Sequence, residues 1–150
     1  MNATHPRESK PLGVLLIAGF YNFGAIVLLI SLFINPTEVS RIIAERHGLL
    51  PGFGTLIIPI VAALGLIMAY SLYSLSRWGF FLTLVYLIYF GGISIALGGL
   101  NFALTGQVVL QVYFGNLIWS VLVIVYLLIV RRRFLAPKNA GLPLTETAHS

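Results

Sequence analysis

Among the polar side chains within the long apolar stretches of the sequence, six lie towards the middle of a stretch, where hydrogen bonding would be their main chemistry. They are Asn22, Tyr70, Tyr86, Tyr89, Asn116 and Trp119. If these stretches are membrane helices, Asn22 lies ~15 Å along the first one, and Tyr89 and Trp119 fall at a similar depth. Tyr70, Tyr86 and Asn116 lie within about two helical turns of that level. An amide in hydrocarbon must find partners or cost several kcal/mol. We therefore expect Asn22 to face the interior of a helix bundle and to bond to another helix, through a tyrosine hydroxyl or Asn116.

This polar set has two interpretations that the sequence leaves open. The six side chains could join helices by hydrogen bonds, each worth ~0.6–2 kcal/mol in membrane proteins. Alternatively, they could line a pocket or a hydrophilic path for a small ligand.

Residue types that perform acid–base, nucleophilic or metal chemistry are scarce. The chain contains no aspartate and no cysteine, and its histidines, His5, His47 and His149, lie outside the apolar stretches. No zinc-protease, catalytic-triad or phosphate-loop motif occurs. A haem between helices would lack histidine ligands, although a pigment held by an amide or by water stays open. We expect no catalytic residue, no metal site, no cofactor and no enzyme activity.

Ion-coupled transport is also disfavoured, because proton relays and coupling sites use Asp, Glu or His inside the membrane. The stretch from Gly52 to Val130 contains one charged residue, Arg77, and no histidine. Passive passage of a neutral solute remains compatible with the sequence.

The composition indicates a membrane protein. Hydrophobic residues make up 59% of the 150 residues and charged residues 9%, against ~45–50% and ~25% in soluble domains. A soluble fold could not cover such a surface with polar groups. The net charge of +5 comes from residues near the chain ends and in the connections. No basic stripe with stacking aromatics is present, so nucleic-acid binding is not expected.

The fold class that we predict is an all-α bundle of four transmembrane helices in a single domain. The predicted spans cover residues 11–34, 55–76, 78–100 and 108–130, each ~20 residues long as a bilayer requires. Residues 55–100 as one helix would be ~69 Å long, far beyond the hydrocarbon thickness. Arg77, Trp78 and Gly79 are therefore predicted to break the chain into a tight hairpin. The first span is too long for a signal peptide and is predicted to stay as an anchor.

Basic residues predict the orientation and the lipid anchors. With four spans, one side of the membrane receives Arg7, Lys10, Arg77, Arg131, Arg132, Arg133 and Lys138, and the other receives Arg41 and Arg46. By the positive-inside rule both termini are cytoplasmic, in the inner membrane of a bacterium or another prokaryotic membrane. Trp78 is the interfacial aromatic beside Arg77, and the arginine triplet is a stop-transfer anchor that contacts anionic lipid.

The connection between the first two spans, NPTEVSRIIAERHGLLPG, predicts a short amphipathic surface helix. Val39, Ile42 and Ile43 share one face, and Arg41 lies within pairing distance of Glu45. We expect Glu45 and His47 to belong to a solvated face rather than to a metal or acid–base site. The C-terminal tail, residues 134–150, is polar and without periodicity and is expected to be mobile.

Small residues predict close helix contacts. Three pairs of small residues lie four positions apart in the sequence, namely Gly65 with Ala69, Gly92 with Ala96, and Ser94 with Gly98. These faces could pack within the monomer or against a partner helix.

Over residues 10–130 the chain resembles a group of small four-helix integral membrane proteins of prokaryotes to which no activity is assigned. The residues that carry the resemblance are KPLGV before the first span, YNF within it, and SLSRWGFFL at the hairpin. The resemblance implies the same four-helix topology and no functional residue.

Two functions are compatible with these observations. The leading hypothesis is an accessory or scaffold protein that packs against a larger membrane complex or self-associates, with membrane lipids around it. The alternative is a passive carrier or pore for a small neutral or lipid-like molecule at the level of Asn22.

Overall fold

The computed structural model describes residues 10–49, 51–105 and 113–135. This part of the chain is helical and contains no strand. The helices are α1 (Leu12–Ile34), α2 (Pro36–Arg46), α3 (Ile57–Tyr73), α4 (Arg77–Thr105), α5 (Gly115–Val130) and α6 (Arg132–Leu135). A 3₁₀ segment, Pro51–Leu56, precedes α3 and is interrupted at Gly54, where φ is +53°.

Three helices are long and apolar enough to cross a membrane, which indicates membrane association. They are Leu12–Ile34, Gly54–Tyr73 and Arg77–Thr105, with 23, 20 and 29 residues. The prediction of an all-helical membrane protein is confirmed to this extent. Helix α5 is apolar but has 16 residues, which is ~24 Å of helix. The predicted start of the fourth span, at residue 108, lies outside the described residues.

The α3–α4 hairpin turns slightly earlier than predicted. Helix α3 ends at Tyr73, and the chain reverses over Ser74–Ser76, where Leu75 has a φ of +50°. Arg77 and Trp78 belong to the first turn of α4, and the Ser76 hydroxyl caps this turn by accepting the N–H of Gly79 at 2.9 Å. The break therefore rests on a serine cap and a left-handed residue rather than on Arg77–Gly79.

Gly79 was expected to help break the chain as a flexible residue, but in the structure it has a different role. A Cβ at this position would lie 2.6 Å from the backbone carbon of Ser71 and in contact with the Ser71 side chain. The absence of a side chain lets α4 approach the backbone of α3 at the hairpin.

The bundle is built mainly from two helix pairs. Helix α1 packs along α3, and α4 packs along α5, while α3 also contacts α4. Helices α1 and α5 touch only locally. At the α1–α3 contact, a Cβ on Gly65 would lie 3.3 Å from the Cβ of Ala25.

The hairpin, the start of α1 and the end of α5 lie at one end of the bundle, which we call the basic end. The Arg77 guanidinium donates to the Leu135 carbonyl at 3.0 Å, and the Lys10 ammonium lies 3.4 Å from the centre of the Tyr73 ring. Phe134 is buried, with its ring 5.3 Å from that of Phe80. The expected mobile tail therefore cannot begin at residue 134, because α6 docks Phe134 into the core; residues 136–150 lie outside the described residues.

Helix α2 covers the opposite end. Ile43 and Ala44 pack against Ile57 and Ile58 of α3, and Arg41 pairs with Glu38 and Glu45 at 2.6 Å on the exposed face. The amphipathic arrangement and the Arg41–Glu45 pairing agree with the sequence analysis, and Glu38 adds a second carboxylate.

Residues 36–49, which we call the α2 cap, end in a Schellman motif. Gly48 has a φ of +63°, the Leu49 N–H donates to the Ala44 carbonyl at 2.8 Å, and the Gly48 N–H donates to Glu45 at 3.2 Å. This turn directs the chain from α2 towards α3.

Candidate functional site

A cavity of about 470 Å³ lies between α1, α3, α4 and α5, beneath the C-terminal turn of the α2 cap. We call it the central cavity. Its volume is in the range of small-molecule sites. Most of the lining is aliphatic or aromatic, and the aromatic part comprises Phe20, Tyr21, His47, Tyr86, Phe90 and Trp119.

The rings around the central cavity contact one another in a chain. Phe20 of α1 and Trp119 of α5 have ring centroids 4.5 Å apart, and this is one of the places where these two helices meet. Tyr21 lies edge-on to Tyr86 at 6.4 Å, and Tyr86 stacks on Phe90 at 5.7 Å. Such ring contacts fix side-chain orientation beyond what burial alone provides.

His47 joins the α2 cap to α4. The Ile43 carbonyl accepts the Nδ1–H at 2.8 Å, which leaves Nε2 to accept the Tyr86 hydroxyl at 3.2 Å. The Tyr89 hydroxyl donates to the backbone carbonyl of His47 at 2.8 Å. His47 is 9% exposed, so the expectation of a solvated histidine is wrong: the Schellman turn points this side chain towards α4 instead of water.

Electrostatics favours the neutral imidazole. Burial lowers the pKa of His47, the hydrogen bond to Ile43 opposes this, and the charge of Arg46 lowers the pKa further. A neutral imidazole is what the hydrogen bond from Tyr86 requires.

Two polar groups of the lining residues are buried without a hydrogen-bond partner. They are the hydroxyl of Tyr21 on α1 and the indole N–H of Trp119 on α5. Leaving such groups unpaired is unfavourable, by about 1–3 kcal/mol each. They contrast with the hydroxyls of Tyr86 and Tyr89, which both bond to His47.

The structure divides the six polar residues of the sequence analysis. Tyr86, Asn116 and Trp119 line the central cavity, and Tyr89 bonds to the α2 cap. Asn22 is exposed, as is Tyr70 at 74%, and both lie in a shallow groove on the outer side of α1 and α3. The expectation that Asn22 bonds to another helix is not met, since no hydrogen bond from its side chain occurs within the described residues.

The reason is the helical phase of α1. Its buried face follows Val14, Ala18 and Ala25, with Tyr21 packed beside them. Asn22 is rotated by ~100° from Tyr21 around the helix. The spacing of small and apolar residues in α1 could have identified Tyr21 and Phe20, and the Gly48 stop signal could have drawn attention to His47.

The small-residue pairs also separate into different environments. Gly65 and Ala69 are buried, Ser94 is buried with its hydroxyl donating to Phe90, and Gly98 lies against Tyr113. Gly92 and Ala96 are exposed, and a Cβ on Gly92 would meet nothing within 4 Å among the described residues. Gly91, which the sequence analysis did not select, faces Ser120 of α5 instead.

The predicted anchors lie at the basic end. Trp78 is 85% exposed, and Arg131, Arg132 and Arg133 are exposed after α5. Arg77 contacts the last described residue, Leu135. These positions suit contact with a membrane surface.

No group of three or more His, Cys, Asp or Glu side chains that could hold a metal ion occurs within residues 10–49, 51–105 and 113–135. Comparison of the chain with protein-family models, with curated proteins and with solved structures finds no match.

His47 predicts a pH-dependent stability. The unfolded histidine has a pKa of ~6.5, and the folded pKa is lower. The unfolded state therefore binds more protons as the pH falls below that value. The contribution of neutral His47 to the free energy of unfolding is complete above pH ~6.5. As the pH falls from there to the folded pKa, this contribution decreases by at most ~1.4 kcal/mol per pH unit. Thermal unfolding in detergent at pH 7.5 and 5.5 measures it.

The variant His47→Gln is the control, because its amide does not titrate. Its stability should change less between the two pH values than that of the native chain. The charged or titratable neighbours of His47 are Arg46, Tyr86 and Tyr89. Identical pH profiles for the two proteins would contradict the role of His47.

Proposed function

We propose that this chain is a four-span membrane protein that binds a small neutral or lipid-like molecule in the central cavity. The observation that carries the proposal is the cavity itself: about 470 Å³, lined mainly by apolar and aromatic residues, with two unpaired buried donors. Pockets of this size and lining are typical of sites for small apolar molecules.

The fourth span of the proposal is α5 together with part of the preceding residues. Support comes from α5 packing along α4 and from its C-terminal end lying beside the hairpin, through Arg77 and Leu135. We further propose that the basic end is cytoplasmic, with both termini, in a prokaryotic inner membrane. The basic residues at this end are the reason, by the positive-inside rule.

Binding is a better proposal than a continuous pore. Between the central cavity and the basic end the bundle is filled by Val14, Leu72 and Leu127, which have no exposed surface. A solute would have to displace this packed core to cross. We also propose that the protein is not an enzyme, on the ground that the lining offers neutral hydrogen-bond donors and one neutral imidazole rather than an acid–base pair.

Single-cysteine variants test the topology, since the chain has no native cysteine. Trp78→Cys and Glu38→Cys replace exposed residues at the two ends of the bundle. A membrane-impermeant maleimide added to intact cells should label the position-38 variant and label position 78 only after lysis. Labelling of both positions from outside the cells would contradict the orientation.

The fluorescence of Trp119 tests the cavity. Trp78→Phe leaves Trp119 as the only tryptophan, because the chain has two. Titration of 1-bromododecane into lipid nanodiscs should quench this fluorescence in a saturable manner, because a bound bromine would sit close to the indole.

Two variants in the Trp78→Phe background serve as a matched pair on α5. Asn116→Phe places a ring at the cavity lining and should abolish the saturable component, while Ile118→Phe lies on the exposed side and should keep it. Quenching that rises linearly with probe in all three proteins would mean that the probe only dissolves in the lipid, and would refute the proposal.

A second candidate is the accessory or scaffold role, with a larger membrane protein or a second copy as partner. The observation that favours it is the Gly92–Ala96 face of α4, which is exposed among the described residues of the monomer. Small residues on a lipid-facing surface permit close approach of another helix.

Crosslinking in native membranes followed by mild extraction tests this role. Gly92→Leu should remove a crosslinked species that Gly19→Leu retains, since Gly19 on α1 also has open space at its Cβ. A protein that is monomeric and alone in every sample would contradict the partner hypothesis.

A further inference from the structure

We propose that the central cavity takes a neutral, lipid-soluble ring compound with a carbonyl oxygen, and that its hydrocarbon chain leaves the bundle between α1 and α5. This inference rests on the proposed function and specifies the class of ligand.

The carbonyl oxygen is assigned by the two unpaired donors. The indole N–H of Trp119 can only donate, and the Tyr21 hydroxyl has no acceptor among the described residues. The two groups belong to α1 and α5 and lie close enough to influence each other, yet neither has a hydrogen-bond partner among the described residues. A carbonyl oxygen has two lone pairs and can accept from both.

The ring is assigned by the walls. Phe20, Tyr86 and Phe90 present ring faces or edges to the central cavity. Aromatic rings favour offset-stacked or edge-on partners, a preference that a flat ring satisfies better than a bare alkyl chain.

The path of the ligand's hydrocarbon chain is inferred from two glycines. Gly24 of α1 and Gly115 of α5 both line the central cavity, and a Cβ on either would meet nothing within 4 Å among the described residues. Helices α1 and α5 contact each other at Gly13 and Tyr126 near the basic end and at Phe20 and Trp119 beside the cavity. We infer that a hydrocarbon chain leaves between Gly24 and Gly115 and reaches the lipid, where it has no cost of exposure.

Charge argues for a neutral ligand. Among the described lining residues, Arg46 carries the formal charge, and this residue is exposed at the rim. The buried polar groups, Tyr21 and Trp119, are neutral donors. An anionic lipid bound through Arg46 is therefore the competing outcome that the experiment must separate.

The test uses three probes of equal carbon number in the Trp78→Phe background, with saturable quenching of Trp119 as the readout. The first is 1-(4-bromophenyl)undecan-1-one, the second is 1-bromo-4-undecylbenzene, which lacks the oxygen, and the third is 11-(4-bromophenyl)undecanoic acid. All three carry the bromine on the ring, so each can report its own binding.

The ketone should half-saturate at a mole fraction about three- to tenfold lower than the hydrocarbon, as one or two hydrogen bonds would give. Tyr21→Phe should shrink this difference, while Tyr126→Phe, whose hydroxyl lies outside the cavity lining, should leave it unchanged. If Tyr21→Phe fails to fold, the comparison of the ketone with the hydrocarbon in the Trp78→Phe protein still tests the carbonyl assignment.

Gly115→Leu tests the chain path. It should weaken binding of the undecanone and spare 4′-bromoacetophenone, whose chain is a single methyl group. Equal effects on both ketones would overturn the path between α1 and α5.

The outcomes separate the two proposals. Saturable but equal binding of ketone and hydrocarbon overturns the carbonyl assignment and leaves the binding function in place. Strongest binding of the acid, lost in Arg46→Gln, overturns the neutral ligand in favour of an anionic one. Absence of saturable quenching by every probe refutes the proposed function together with this inference.

Discussion

Close approach of helix backbones is the constraint on which this bundle depends. In hydrocarbon, apolar side chains gain little by leaving lipid for protein, so helix association rests on packing and hydrogen bonds. The bundle achieves such packing at Gly79 against Ser71, at Gly65 against Ala25, and at Gly91 against Ser120. Each contact joins neighbouring helices of the α1–α3–α4–α5 series.

The central cavity follows from where small residues are missing. At the basic end Gly13 of α1 packs against the Tyr126 ring of α5. Beside the cavity no glycine of the described residues joins these two helices, and the bulky pair Phe20 and Trp119 makes their contact. Gly24 and Gly115, which line the space near that contact, have no close neighbour among the described residues. The aromatic pair between α1 and α5 and the two glycines without a close neighbour thus leave a space beside the contact that a closer approach of these helices would fill.

The helices themselves could be predicted from sequence, but the faces they bury could not. Charge-free runs of about 20 residues have one stable form in a bilayer, because every backbone group must bond internally. The rotation of each helix about its own axis, which decides the buried face, is harder to predict because lipid-facing and buried residues are both apolar. Asn22 was expected inside because of its amide, yet its neighbour Tyr21 occupies that face. In the same way Gly91, rather than Gly92, faces α5.

The position of His47 could not be predicted for a different reason. In the sequence it belongs to a charged, amphipathic segment, and its burial depends on the chain reversal at Gly48 and on tyrosines of α4 that lie 39 and 42 residues away. Non-local contacts of this kind leave no periodic signal. The packing of α2 on α3 through Ile43 and Ile58 could be predicted only in part: the sequence indicates the apolar face of α2 but not its partner on α3.

Unpaired polar groups carry information only where a partner could reach them. Thr83 and Ser120 are also buried without hydrogen bonds, but neither lines the central cavity, and Ser120 lies in the tight α4–α5 contact beside Gly91. Tyr21 and Trp119 differ because their side chains border a space large enough for a ligand. The α2 cap closes this space at one end through His47, and the core at Leu72 and Leu127 fills the bundle on the other side. The side between α1 and α5 is therefore the direction from which the proposed ligand would reach the cavity without disturbing either end.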